Sequence, residues 1–213
     1  MGLSQEWLKV IACVTMLMDH IGAVFFPWAL WWRIVGRMAF PIYCFLLAEG
    51  LARTRDMKRY GQRLAFGAVL AEIPFDLLFF GGLTLAHQSV MVMLLIGYFM
   101  VLWMRRFPRW KMFALCICAL TAEMLCTDYG ALGVMTIGLF VLTRDVEHRL
   151  LFQIFGLMVL NWTLNGYWVQ MFAVAAIIPI ALYNGTKSSH SKAIQRGFYL
   201  FYPLHMLVLL LLQ

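Results

Sequence analysis

The sequence predicts an all-α protein, a polytopic transmembrane helical bundle of about nine spans (eight to ten) with a cytoplasmic N-terminus. Three observations carry this expectation. Hydrophobic residues make up 63% of the chain and charged residues only 13%, where a soluble domain carries roughly 25% charge. Apolar runs near the length that crosses a bilayer, about 20 residues, recur from end to end. The Lys and Arg residues, which give a formal charge of +7, gather in alternate gaps between those runs.

The runs cover residues 8–26, 34–52, 64–80, 90–104, 112–126, 131–143, 150–160, 167–183 and 197–212. The first is a span and not a cleavable signal, because its start is barely basic and Asp19 sits inside it. The fifth to seventh are short and read as tilted or partly re-entrant. No linker marks a boundary, so residues 1–213 form one domain. Arg53, Arg55, Lys58, Arg59 and Arg63 fill the gap after the second run; Arg105, Arg106, Arg109 and Lys111 follow the fourth. Arg144 and Arg149 follow the sixth, and Lys187, Lys192 and Arg196 the eighth. Cytoplasmic loops carry such excess, so even-numbered spans end inside and only Arg33 and Arg37 break the pattern. The basic charge thus has a membrane explanation, which argues against nucleic acid as a partner. The five cysteines lie in apolar segments without metal-ligand spacing; they read as small hydrophobes, with no metal site expected.

Ionisable side chains inside the runs call for a purpose, since each Asp or Arg at a helix centre costs about 2.5–3.5 kcal/mol to insert. From the cytoplasmic edge, helix rise puts Asp19, His20 and Asp76 at roughly 17–18 Å and Arg37 at roughly 25 Å. Glu72 and His205 fall near 12 Å, and Glu49 near 8 Å. Glu72 and Asp76 share a face, as do Arg33 and Arg37, and Tyr202 and His205. Pro41, Pro74 and Pro203 free backbone carbonyls beside these groups, as happens where backbone lines a cavity. Buried pairs such as Asp76 with Arg37 also have a purely architectural reading, that of holding a bundle together.

Four stretches resemble the TraX family, named for a conjugation protein that N-acetylates pilin: LKVIACVTMLMDHIGAVFFP; RIVGRMAFPIYCFLLAEG with its basic loop and AEIPFDLLF; TDYGALGV; and FYLFYPLHMLVL. They occur in order over nearly the whole chain. The family is similar to wider groups of membrane acyltransferases in which an intramembrane histidine is central. The resemblance implies a multi-pass protein of the inner or plasma membrane. It also implies acetyl transfer from cytoplasmic acetyl-CoA to an amine or hydroxyl reached from the outer side: a pilin, a glycan or a lipid.

That chemistry needs a base near neutral pH, the ordinary task of histidine. His20 takes the role, with Asp19 or Asp76 fixing its tautomer and Arg37 offering a donor to the oxyanion. His205 is the rival base, with Tyr202 assisting and Glu72 joining the two layers; Glu49 lies further in. Arg53, Arg55, Lys58, Arg59 and Arg63 suit the phosphates of CoA, although the positive-inside rule also accounts for them. Asp128 and Tyr129 either face the acceptor, or Asp128 caps the next helix. A proton-coupled carrier and a non-catalytic pilus or envelope assembly protein remain as alternatives.

Overall fold

The computed structural model describes the backbone of residues 2–186 and 192–213, and every regular element among them is helical. Lys187 and the side chains of Lys192 and Arg196 lie outside the described residues. Helix α1 spans Gln5–Phe25, and the Ser4 hydroxyl accepts the Trp7 amide N–H at its start. The run at 34–52, expected as one helix, is two: α2, Leu30–Gly36, and α3, Ala39–Arg53, with a turn at Arg37 and Met38 between them. Pro41 accounts for the position of the break. It has no N–H for the carbonyl four residues back, that of Arg37, and its ring crowds that carbonyl.

Helix α4 is Met57–Phe80 and starts at Asp56, whose carboxylate accepts the Arg59 amide N–H at 2.9 Å. Lys58, Arg59 and Arg63 therefore ride on its first turns and not in a loop. Gly81, with φ of 71°, ends it in the left-handed conformation that glycine adopts freely. Helices α5 (Val90–Arg106), α6 (Lys111–Met124), α7 (Gly130–Leu142) and α8 (Arg149–Leu164) match the next four runs. The eighth run is a 3-10 stretch, Trp168–Ala176, continued by the short helix α9, Ile177–Ala181. Helix α10 covers Lys192–Leu212 with Pro203 inside it.

Two isolated bridges, Leu3 with Tyr183 and Gln88 with Thr127, tie loops together at opposite ends of the bundle. At the basic end, Arg105 donates to the Leu51 carbonyl at 2.8 Å and Arg53 to the Gly185 carbonyl. At the other end, the Asp128 N–H donates to the Gln88 carbonyl at 2.7 Å. Helix α3 runs through the middle, buried along most of its length and packed by α1, α5, α7 and the 3-10 stretch. Gln5–Phe25 and Leu30–Arg53, taken across the turn, are long and apolar enough to cross a membrane. Gly130–Leu142, Arg149–Leu164, Trp168–Ala181 and Gly197–Leu212 are apolar but shorter. Among the described residues, two helical stretches thus have the length and apolarity for a full crossing, where about nine spans were expected.

Helices α1 and α2 meet through glycine. A Cβ on Gly36 would lie 2.3 Å from the Asp19 Cβ and 2.7 Å from its Cα, so any side chain there pushes the helices apart. Gly36→Ala is expected to cost about 1–3 kcal/mol of stability, the usual range for overpacking. Gly82→Ala, where the added atom would meet nothing within 4 Å, is expected to leave it unchanged. Thermal unfolding of both variants, followed by circular dichroism in detergent, checks the pair.

Candidate functional site

Asp19 and His20 are neighbours on α1 and point about 100° apart, so they join different partners. Asp19 turns to the break between α2 and α3. Its carboxylate accepts from Arg37 Nη2 at 2.6 and 2.7 Å and from Arg33 Nη1 at 2.8 Å. The remaining N–H groups of Arg37 are also committed: Nε donates to the Arg33 carbonyl at 3.3 Å, and Nη1 to Tyr129 Oη at 3.2 Å and Gln170 Oε1 at 3.0 Å. A guanidinium has five N–H donors, and all have work here. Arg37 therefore has no donor to spare for an oxyanion in this arrangement, and its partner is Asp19, not Asp76.

His20 faces the other way, toward α10. Its Nδ1 lies 2.8 Å from His205 Nε2, and His205 Nδ1 lies 2.7 Å from the Phe201 carbonyl. The carbonyl can only accept, so His205 carries its proton on Nδ1 and, when neutral, accepts at Nε2. His20 then donates from Nδ1, which leaves His20 Nε2 with its lone pair. The tautomer follows from this network of bonds. It is set by His205, not by either aspartate. Aromatic rings hold both imidazoles: Phe79 meets His20 edge-on at 5.3 Å, and Phe201 stacks on His205 at 5.0 Å. The depths agree because α10 begins at Lys192 and not at residue 197, which lifts His205 by about 7–8 Å.

Glu72 and Asp76 are not part of this pair. α4 starts earlier than its apolar run, so both lie near its far end, where they hold loops. Asp76 Oδ2 accepts the Thr84 N–H at 3.0 Å, and Glu72 Oε1 accepts from Ser89 Oγ at 2.5 Å and its N–H at 3.0 Å. Glu72 thus fixes the start of α5 and does not link two layers of acids. Glu49 stays at the basic end, paired with Arg53 at 3.0 Å and Arg144 at 3.4 Å.

A cavity of about 460 Å³ opens at the basic end between α1, α3, α4, α5 and α10. Lys9, Arg53, Arg55 and Arg63 stand at its mouth; Met16, Leu47 and Met91 line it, and Tyr202 stands at its inner end. The Tyr202 ring meets His205 edge-on at 5.8 Å. Halfway along, Tyr43 Oη lies 3.2 Å from Cys13 Sγ. Of the five basic residues matched to CoA phosphates, Arg53, Arg55 and Arg63 line this cavity, while Lys58 and Arg59 do not. Lys9 joins them from α1. A cationic mouth over a long apolar throat, within the 300–1,000 Å³ of small-molecule sites, suits a ligand with an anionic head and a slim apolar arm. Among the described residues no group of three His, Cys, Asp or Glu is placed to hold a metal ion.

The TDYG turn folds inward. The Tyr129 ring stacks on Phe40 with centroids 3.7 Å apart, and its hydroxyl accepts from Arg37. The residue at the start of α7 is Tyr129, in the left-handed conformation and with no side-chain cap, so Asp128 does not cap that helix; Glu123 Oε2 accepts the Ala131 amide N–H at 2.9 Å there instead. Asp128 keeps much of its surface accessible, and its carboxyl stands in a crowded neighbourhood that includes Arg37 and Asp19. Burial, opposed by Arg37 and reinforced by Asp19, pushes that carboxyl up to about 6. Gln170, buried and bonded to Arg37, and Ser89 were not singled out from sequence; in both cases the signal was a lone polar group in or beside an apolar run.

The TraX protein family matches residues 4–213. The chain is similar to "Probable fimbrial assembly protein FimC, serogroup H1" of Dichelobacter nodosus, 29% identical over 95% of this chain and 92% of that protein. It is also similar to "Protein TraX" of Escherichia coli, 23% identical over 96% of this chain and 85% of that one. No solved structure matches it. With the match running almost from end to end, the chain belongs to the TraX family.

Proposed function

We propose that this chain is a multi-pass membrane acetyltransferase of a pilus-related system, with His20 as its base. One observation carries the proposal: the cavity with the cationic mouth ends at Tyr202, against the His205–His20 pair. Neither histidine lines the cavity, but Tyr202, which does, lies against His205, so a donor entering from the basic end comes to rest one side chain from the pair. The names of the relatives, fimbrial assembly and TraX, support a pilus setting. Large apolar side chains on outward faces, among them Phe66, Val69, Leu120, Phe155 and Leu204, support burial of the bundle in lipid. The positive-inside rule puts the basic end in the cytoplasm. On this reading the shorter apolar helices complete the crossing together with the two long ones.

Acetyl-CoA, when bound, supplies an acetyl group already activated as a thioester. Lys9, Arg53, Arg55 and Arg63 hold its phosphates at the mouth, and the apolar throat keeps water from the thioester. His20 Nε2 takes the proton from the attacking amine or hydroxyl of the acceptor. The proton then passes to the departing thiolate. His205 accepts the His20 Nδ1–H throughout, which keeps Nε2 presented as the base. Asp19, Arg33 and Arg37 take no proton; they hold α1 against the break where the TDYG turn and the 3-10 stretch also meet.

Two variants separate these roles in proteoliposomes given labelled acetyl-CoA. His20→Gln is expected to fold as wild type and lose about 10²–10⁴-fold in kcat, the usual contribution of a positioned base. His205→Phe is expected to lower kcat as well, with a smaller change in KM. Unchanged turnover in folded His20→Gln would remove His20 from the mechanism. Asp19→Asn is expected to fail differently: two guanidinium groups lose their carboxylate, and the fold loses about 3–5 kcal/mol. Chemical denaturation in detergent checks this, and a stable Asp19→Asn protein with abolished turnover would move Asp19 into the chemistry.

A further inference from the structure

A second cavity, of about 350 Å³, opens at the basic end between α3, α5, α6 and α7, away from the acetyl-transfer path. Its walls divide by chemistry. Ala48 and Ala52 of α3 leave the space, with Val101 and Val141 beside them. Arg105, Lys111 and Arg144 stand round it, with Asp145 as the one acidic side chain lining it.

Among the described residues the three cations of this hollow outnumber the carboxylates beside them. Arg144 reaches Glu49 at 3.4 Å, but Glu49 is already held by Arg53 at 3.0 Å. Arg105 gives one N–H to the Leu51 carbonyl and another to the Met57 sulfur, neither of which bears a charge. Among the described residues neither Arg105 nor Lys111 has an ion pair. Arg105 and Arg144 are close enough for their like charges to repel. An anion between them would relieve that repulsion. The positive-inside rule explains why these cations lie on one side of a membrane, but not why they converge on an apolar hollow.

We propose that this cavity binds the phosphodiester headgroup of an anionic glycerophospholipid. The proposal rests on the membrane-embedded reading given above, which puts this end at the level of the lipid headgroups. Phosphate meets Arg105, Lys111 and Arg144, while the glycerol and first acyl carbons fill the hollow between Ala48, Ala52 and Val101. Basic pockets between helices at a cytoplasmic face suit such headgroups. Free phosphate would satisfy the cations and leave the apolar floor bare. A zwitterionic lipid brings a cation of its own toward an already positive rim.

The test uses the full chain purified in detergent and a fluorescent phosphatidylglycerol, with phosphatidylcholine, phosphatidylglycerol and inorganic phosphate as competitors. Phosphatidylglycerol is expected to compete well and the other two poorly. The double variant Lys111→Gln/Arg144→Gln, which keeps the Arg105 bond to Leu51, is expected to bind phosphatidylglycerol roughly thirtyfold more weakly, at about a fivefold loss per cation. It is expected to keep its affinity for acetyl-CoA. Should that variant not fold, Asp145→Asn, which removes the rim's carboxylate, is expected to tighten binding about fivefold. Equal competition by phosphatidylcholine or by phosphate, wild-type affinity in the double variant, no tightening in Asp145→Asn, or loss of acetyl-CoA binding with the lipid each overturns the proposal. Flotation with liposomes tells the two readings apart. A chain that does not float overturns the membrane reading itself, whereas one that floats without preference for the anionic lipid overturns the site alone.

Discussion

A buried guanidinium can be kept in a helical bundle only if a carboxylate and enough acceptors go in with it, and Arg37 is the group on which this fold turns. Its side chain joins α1 through Asp19, the last turn of α2 through Arg33, the TDYG turn through Tyr129 and the 3-10 stretch through Gln170. Asp19, Tyr129 and Gln170 come from separate segments, and no one partner could satisfy all the N–H donors of Arg37. Desolvating such an ion pair costs several kcal/mol per ion. The pair is therefore poor evidence of extra stability, but it specifies one arrangement of the helices and penalises others. Gly36 and Pro41 are the backbone conditions for it: one lets α2 touch Asp19, and the other puts the turn at Arg37.

On the proposed function, holding and working are divided between adjacent residues. Asp19 is spent on the clamp, which fixes the rotation of α1 and so the direction of His20. His20 in turn has its tautomer set from α10, where Phe201 supplies a carbonyl that can only accept. A base whose lone pair is assigned by a chain of bonds needs no carboxylate of its own. The cavity supplies the other half of the arrangement, because it runs from cations at one end to Tyr202 beside this pair.

Much of this was legible in the sequence, and what was not has identifiable causes. The apolar runs gave nearly every helix, because length and polarity suffice for that. Asp19, His20, Arg37 and His205 stood out because charge or imidazole in an apolar run is costly. Their pairing was not legible. Periodicity gives the face of one helix but not which neighbour it meets, so Arg37 was as open to Asp76 as to Asp19. Depth failed where a helix began before its apolar run: the polar first turns of α4 and α10 moved Glu72, Asp76 and His205 outward together. Gln170 was hidden because a single amide reads as a minor interruption of a span, and only the fold shows that it accepts from Arg37.

The most direct measurement of the central claim is sided acetyl transfer by the wild-type chain. The protein is reconstituted in oriented proteoliposomes, labelled acetyl-CoA is supplied at one face, and an amine or hydroxyl acceptor is held at the other. CoA release and labelled acceptor are expected only when acetyl-CoA is given at the basic face. No CoA release with any acceptor, or equal labelling from either face, would contradict the account.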